Sequence, residues 1–177
     1  MSNVKPLLIY PKAVWTPLFD HSAPGKLSDR DTIVLHITQG STAAGAIATF
    51  KASKTPNRVS CHFVIGRGEP ATVYQLLSLD ETAWHASQVN WHSIGIEHVA
   101  MAQSGGFPAM PATYSQYEAS AELVAWLCVQ MGVPCDRAHV RTHNEVSPRD
   151  GHVLCCTGAL DPDYVVKLAA DLLNLGH

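Results

Sequence analysis

The sequence predicts a single α/β domain in which a mixed central β-sheet lies between helices. Short apolar runs rich in β-branched residues, which are typical of buried strands, alternate along the chain with longer amphipathic segments that are typical of helices. The chain has 177 residues, of which 46% are hydrophobic, and this length suits one domain with a sizeable core. We find no repeat and no low-complexity linker in it.

Each predicted element follows from a local pattern. The run Thr32–Ile37 is continuously apolar and β-branched, which predicts a strand buried on both faces. The segment GRGEP predicts a hairpin connection between two antiparallel strands. Gly95 indicates a point where another group approaches the backbone of its strand closely, and Ser115 is the expected cap of the longest helix. Further strands are expected at 61–65, 72–76, 93–99 and 140–143, and helices at 43–53, 116–131 and 162–175.

The N-terminal segment differs from the rest of the chain. Residues 1–30 contain four prolines, and they predict an extended arm. Apolar side chains indicate that this arm packs on the domain: Leu7, Leu8, Ile9, Trp15 and Phe19. The expected organisation is therefore an arm over residues 1–30 followed by the main domain over residues 31–177.

Charge, hydropathy and cysteine usage exclude several classes of protein. The net charge of −3 offers no basic surface for tracking phosphates, so no nucleic-acid partner is expected. No run approaches the ~20 apolar residues of a transmembrane segment, and prolines interrupt the apolar stretch near the N-terminus where a signal peptide would lie. We therefore expect a chain that is cytoplasmic as made.

The five cysteines have no framework spacing, which indicates reduced thiols or metal ligands.

Histidine is unusually frequent, with ten residues against twelve lysines and arginines. His36 and His143 fall at the ends of two predicted strands, and a polar loop leads from His143 to Cys155 and Cys156. Two histidines from separate strands together with a cysteine or aspartate would suit a catalytic zinc site that keeps one position open for water. Core histidines bonded to the backbone are an equal alternative on spacing alone.

Seven short segments, taken together and in order, resemble one enzyme family. They are VLHIT, SCHFVIGRG, TVYQL, AWHAS, NWHSIGIEHV, THNEVSP and CCTGALDPDY, and they cover the chain from Thr32 to Tyr164. The sequence is similar to the zinc-dependent N-acetylmuramoyl-L-alanine amidase family, which is related to peptidoglycan recognition proteins. The resemblance implies that family's α/β fold and hydrolysis of the amide between N-acetylmuramic acid and L-alanine. Residues 31–177 would then form the amidase catalytic domain.

The resemblance also implies a zinc cofactor and its ligands. His36 matches the first ligand of the family and His143 matches the second. The third ligand of the family is a cysteine or an aspartate in a turn that follows the second histidine. Cys156, in the segment Cys-Thr-Gly, fits that pattern best, with Asp161 as the second choice and Cys155 as the third.

Other site residues are implied in the same way. Glu97, at the end of the segment SIGIE, matches the carboxylate that acts as general base on the zinc-bound water. His152 is the expected replacement for the basic group that polarises the substrate carbonyl in the family. Trp84, His85 and Asn90 resemble residues that line the substrate cleft. His62 is expected to pack or to orient a metal ligand.

Two other functions compete with a zinc amidase. One is a peptidoglycan-binding module of the same fold without catalysis, which would have lost a metal ligand. The other is a metal-free cysteine hydrolase based on Cys61 or Cys155. The expected partner of the amidase is peptidoglycan or a muropeptide. The enzyme would act on the cell wall after release or delivery, in lysis or as an antibacterial effector, or it would act during wall recycling. An immunity protein or a holin stays unassigned as a protein partner.

Overall fold

A mixed β-sheet forms the centre of the computed structural model, which describes residues 8–104, 106, 108–151 and 154–176. The strands in these ranges are β1 Val14–Trp15, β2 Ala23–Pro24, β3 Thr32–Ile37, β4 Phe63–Ile65, β5 Val73–Gln75, β6 Glu81–Thr82, β7 Ser93–His98 and β8 Val140–Thr142. Six of them lie side by side in the order β1, β5, β4, β7, β3, β8. β4 and β5 are antiparallel and the other neighbours are parallel, which confirms the predicted mixed sheet and its hairpin.

Helices flank this sheet, as predicted. Within the described ranges they are α1 Ala43–Ala52, α2 Tyr114–Met131, α3 His143–Val146 and α4 Pro162–Asn174, with two 3-10 helices at Leu27–Asp29 and Ser87–His92. The five predicted strands and three predicted helices all lie within two residues of their expected bounds. None of the described helices has both the length and the apolar character that crossing a bilayer requires.

The two faces of the sheet are covered differently. Side chains alternate between the faces along a strand, so Ile33 and Leu35 of β3 lie in the larger apolar core that is shared with α2 and α4. His36 therefore points to the opposite face. There the short helix α1 contributes Ile47 and Phe50 to a smaller apolar cluster. This less completely covered face carries the site described below.

The long helix α2 begins two residues before its predicted start. Its N-cap is Thr113 rather than Ser115, because the Thr113 hydroxyl accepts from Gln116 N at 3.2 Å and Gln116 Oε1 accepts from Thr113 N at 3.0 Å. Ser115 instead accepts a hydrogen bond from Ala71 N at 2.8 Å. The helix ends at Gly132, whose φ of 68° is left-handed and favours glycine.

The chain turns sharply where β8 meets α3. The strand ends at Thr142, and His143 opens the helix instead of closing the strand as expected. Glu145 causes this change, because its carboxylate accepts from Thr142 N at 2.7 Å. His143 is thereby placed at the end of the sheet where the strand β3 also ends.

The N-terminal arm adds strands to the sheet system. β1 pairs with β5 in parallel, and β2 pairs with β6 as a separate antiparallel ribbon. Leu8 packs against the larger core, whereas Phe19 is 78% exposed, and Leu7 lies outside the described residues. The boundary between arm and domain at residue 30 stays a prediction.

Gln116 joins α2 to the sheet. Its side chain is fully buried, and Nε2 donates to Ile65 O and to Val99 O, both at 3.2 Å. We expect Gln116→Ala to lower the free energy of unfolding by about 1–3 kcal/mol, because buried acceptors lose their donor. Chemical denaturation measures this change, and the exposed Gln130→Ala of the same helix is the control. Equal effects of the two substitutions would contradict the assignment.

Candidate active site and metal centre

Three potential metal ligands converge at the carboxyl end of β3. His36 comes from β3, His143 from the start of α3 and Cys155 from the loop before α4, and one donor atom from each lies within 4.8 Å of the others. Cys155 Sγ is 3.9 Å from His36 Nδ1. The structure therefore brings together the two histidines that the sequence analysis selected.

The third member of this cluster is Cys155 and not Cys156. The Cys156 side chain is 3% exposed and donates its thiol hydrogen to Leu35 O at 3.3 Å, on the apolar side of β3. Asp161 does not reach the cluster either, because its carboxylate caps α4 by accepting from Asp163 N and Tyr164 N. The expected placement of Cys156 is thus corrected, since adjacent residues in this loop point in different directions.

The electrostatics of the two cysteines favour the same assignment. The contact with Cys156 lowers the pKa of Cys155 most, the contacts with His143 and His36 act in the same direction, and burial opposes them. The pKa of Cys156 is raised by its bond to Cys155 and by burial. The lowered pKa favours the thiolate form of Cys155, which is the form that binds a metal.

Glu97 stands directly beside this cluster. It pairs with His36 in the register of β7 and β3, and both side chains line one cavity of about 450 Å³ together with His143 and Cys155. The Glu97 Oε2 atom is buried and has no hydrogen-bond partner among the described residues. Burial, with a contribution from Cys155, raises the pKa of Glu97 to about 8, a value suited to proton transfer near neutral pH.

Each histidine of the cluster also touches a second polar side chain. His36 Nε2 lies 2.9 Å from His85 Nδ1, and His143 Nε2 lies 3.4 Å from Asp150 Oδ2. Burial lowers the pKa of His143, but hydrogen bonds to Cys155 and Asp150 outweigh burial and raise it. Burial lowers the pKa of His85 well below its ordinary value, so this ring is neutral at neutral pH.

A second cavity of about 660 Å³ adjoins the first. The two cavities share Val59, Trp84, His85 and His143, so they form one groove. Two of the predicted substrate residues, Trp84 and His85, line both parts. The third, Asn90, lines the larger part, but its Oδ1 accepts from the backbone N atoms of His85 and Ala86 at 3.0 and 2.7 Å. Asn90 thereby orders the loop that carries His85.

The structure reveals two arginines near the groove that the sequence analysis missed. Arg58 lines the larger cavity, and its Nε is buried without a hydrogen-bond partner among the described residues. Arg30 is 2% exposed and donates to the backbone oxygens of Glu81, Asn90 and Trp91. Arg30 therefore fixes both ends of the loop that forms the groove wall. Neither arginine belongs to a short motif. The only signal in the sequence is that each is a cationic side chain in a chain with few charged residues.

Two further expectations have different outcomes. His152 lies outside the described residues, so its role at the substrate carbonyl stays a prediction. His62 is fully buried, where its ring accepts from Gly95 N at 3.1 Å and contacts Glu81 O at 2.9 Å. The structure thus gives His85, rather than His62, the contact with His36.

The donor set fits zinc. Thiolate and imidazole are the ligands that this ion prefers, and three protein ligands beside an open cavity are the usual composition of its catalytic sites. The 450 Å³ cavity reaches all three donors. An unpartnered, buried carboxylate oxygen on Glu97 points to a further polar group in that space.

The fold and this site define a hydrolase class, and comparison with known proteins gives the family. The chain belongs to the N-acetylmuramoyl-L-alanine amidase family, whose sequence model matches residues 27–162. A curated relative, N-acetylmuramoyl-L-alanine amidase A of Achromobacter lyticus, is 28% identical over 127 residues, which are 72% of this chain and 67% of the relative. The predicted family, fold and amidase activity on peptidoglycan are thereby confirmed.

Solved structures share the fold. A selenomethionine derivative of AmpD is 22% identical, with a TM-score of 0.69 over 92% of this chain and 99% of that chain. The amidase AmiD from E. coli, solved with the substrate anhydro-N-acetylmuramic acid-L-Ala-D-gamma-Glu-L-Lys, is 21% identical, with a TM-score of 0.58 over 75% of this chain and 54% of that one. At these identities the likeness concerns the fold alone.

The two adjacent cysteines provide a test of the cluster. We expect Cys155→Ser to lose the metal, whereas the wild-type protein and Cys156→Ser hold about one zinc per chain, because Cys155 alone faces both histidines. Elemental analysis after dialysis measures the content. Retention of zinc by Cys155→Ser together with its loss in Cys156→Ser would contradict the placement.

Proposed function

We propose that the protein is a zinc-dependent amidase in which His36, His143 and Cys155 hold the ion and Glu97 transfers protons. The observation that carries this proposal is the convergence of the three donors within 4.8 Å next to a buried, unpartnered carboxylate oxygen. The bond cleaved is the amide between the lactyl group of N-acetylmuramic acid and L-alanine. Zinc dependence and the roles of individual residues are part of the proposal.

The residues of the chain have separate tasks in the reaction. Zinc, when bound, supplies a Lewis acid that activates water and polarises the substrate carbonyl. Glu97 accepts a proton from the attacking water at its carboxylate and delivers that proton to the nitrogen of the departing L-alanine. The low polarity around Glu97, which raises its pKa to about 8, supports both halves of this transfer, because a weak acid both accepts and returns a proton near neutral pH.

The groove beside the metal centre suits a muramoyl peptide. Trp84 lines the groove and packs edge to face on the exposed Trp91, with ring centroids 5.7 Å apart, so Trp84 offers an aromatic surface for a sugar or a peptide. Arg58 offers a cation on the same groove. In the AmiD complex the bound peptide contains D-glutamate linked through its γ-carboxyl group, which leaves the α-carboxylate of that residue free. We assign Arg58 to this carboxylate.

The binding module without catalysis is the weaker alternative. It would have lost a metal ligand, whereas this chain keeps two histidines and a cysteine in one cluster and has Glu97 beside them. Action on the cell wall after release or delivery stays a prediction, as does the role of His152.

Digestion of purified muropeptides tests the proposal. We expect the protein to release stem peptides with a free L-alanine N-terminus, and a strong chelator to stop this release, because the metal centre is needed for cleavage. Mass spectrometry identifies the bond. Glu97→Gln should retain zinc but lower kcat by about 10²–10⁴-fold, the usual contribution of a general acid–base group.

The exposed Glu118→Gln on α2 is the matched control and should keep wild-type turnover. Cleavage that persists in metal-free protein would refute the zinc mechanism, and near-normal turnover of Glu97→Gln would remove Glu97 from its role. Binding of muropeptides without any cleavage would establish the alternative function.

Two substrates, one with and one without the D-glutamate residue, test the proposed role of Arg58. Arg58→Ala should raise KM about tenfold or more for a substrate that contains D-glutamate, with a much smaller change in kcat, because a charge-assisted hydrogen bond in the groove is lost. Steady-state kinetics with muramoyl-L-alanine amide, which lacks that carboxylate, is the control and should show no effect. Equal changes for both substrates would contradict the assignment.

A further inference from the structure

A continuous line of hydrogen bonds runs from the His36 ring into the fold. His36 Nε2 lies 2.9 Å from His85 Nδ1, and His85 Nε2 lies 3.1 Å from Ser93 Oγ. The line ends where the Ser93 hydroxyl donates to Val89 O at 2.7 Å. On the other side of the His36 ring, Nδ1 faces the sulfur of Cys155 at 3.9 Å.

The last bond sets the direction of the others. A backbone carbonyl only accepts, so the single hydroxyl hydrogen of Ser93 goes to Val89 O. Ser93 Oγ then accepts from His85, which places a hydrogen on His85 Nε2. A second hydrogen on the same ring would create a buried cation next to other imidazoles, at a large cost in free energy. His85 Nδ1 therefore accepts, and the hydrogen between the two rings belongs to His36 Nε2.

We propose that His85 and Ser93 are positioning residues that hold the His36 ring with its hydrogen on Nε2 and its Nδ1 lone pair directed at the metal. This inference rests on the proposed zinc function. Metal-binding histidines commonly donate their second ring N–H to a fixed partner, which orients the ring and raises its basicity. Here the fixed partner is itself a histidine whose state is set by a serine.

The backbone beneath His85 is shaped for this contact. Ser93, Gly95 and Glu97 follow one another at alternate positions of β7, and they lie on the same face of the sheet as His36. A Cβ atom at Gly95 would come within 2.7 Å of His85 Nδ1 and 2.9 Å of Cys61 Sγ. Only glycine leaves room for the His85 ring to lie across the strand.

This arrangement changes the expected role of His85. Both ring nitrogens are already engaged, one by His36 and the other by Ser93. The ring lines the groove, but it has no remaining polar atom with which to recognise a substrate. Its contribution is therefore made through His36.

The proton position is measurable in the metal-free protein. Long-range ¹H–¹⁵N NMR spectra of the histidine rings distinguish a hydrogen on Nε2 from one on Nδ1. We expect His36 and His85 both to carry it on Nε2 in the wild-type protein. A hydrogen on Nδ1 of His36 would overturn the proposal, whatever the effect of any substitution.

Zinc affinity provides the second measurement, with the ion itself as the probe in competition with a chromophoric chelator. His85→Leu should weaken zinc binding about 10–100-fold, the usual effect of removing a partner of a metal ligand. His85→Asn should restore most of the affinity, because its amide oxygen can accept from His36 in place of Nδ1. Ser93→Ala should weaken binding in the same direction, since His85 loses the acceptor that sets its state.

Ser120→Ala is the matched control. Ser120 Oγ lies 2.9 Å from Nε2 of another buried histidine, His98, whose Nδ1 lies 3.0 Å from the backbone oxygen of His36. We expect its zinc affinity and its His36 spectrum to match the wild type. Thermal unfolding shows whether each variant is folded, and Ser93→Ala keeps the test decisive if His85→Leu does not fold.

The outcomes separate this inference from the proposed function. Zinc binding and cleavage by the wild type, with affinity unchanged in both His85→Leu and Ser93→Ala, would overturn the inference and leave the amidase mechanism intact. A wild-type protein that binds no zinc would refute the proposed function itself.

Discussion

The parallel pairing of β3 with β7 is the constraint on which the site depends. This register sets His36 opposite Glu97, and it also sets Val34 opposite Gly95 and Thr32 opposite Ser93. Because side chains alternate along each strand, one face receives His36 and Glu97, for which we propose metal binding and proton transfer, together with Ser93 and Gly95 beside His85. A shift of one residue would turn all of them into the apolar core.

The opposite face of the same strands makes that register stable. Ile33, Leu35, Ile94 and Ile96 are fully buried in the core under α2 and α4, and a slipped strand would expose them to the polar side. The hydrophobic pattern that holds the fold together is thus also what aligns His36 with Glu97. Chemistry and stability use alternate residues of one pair of strands.

Loops complete the site through contacts that span large distances along the chain. Arg30 and Asn90 hold the segment that carries His85, and Glu145 turns the chain so that His143 faces His36. Each loop is fixed by a charged or amide side chain bonded to backbone groups. Such contacts leave no periodic pattern, which is why Arg30 did not emerge from the sequence.

Residues in regular strands were predictable, and residues in loops were less so. The runs around His36 and Glu97 are apolar and rich in β-branched residues, which predicts their strands, and the resemblance to the amidase family then identifies both residues. Thr113 replaced Ser115 as the helix cap because two neighbouring hydroxyls suit the same local pattern, and the hydrogen bonds of Thr113 with Gln116 and of Ser115 with Ala71 N separate them. The same ambiguity affected Cys155 and Cys156.

By itself, the sequence determined the α/β class and the bounds of five strands and three helices to within two residues, and the resemblance to the amidase family singled out the two histidines of the cluster and the carboxylate beside them. These follow from hydrophobic periodicity and short motifs, which are local. Only the tertiary structure decided which cysteine joins the histidines and that the His85 ring contacts the His36 ring. Both depend on the direction of a side chain in an irregular loop, and that direction is set by partners on distant strands.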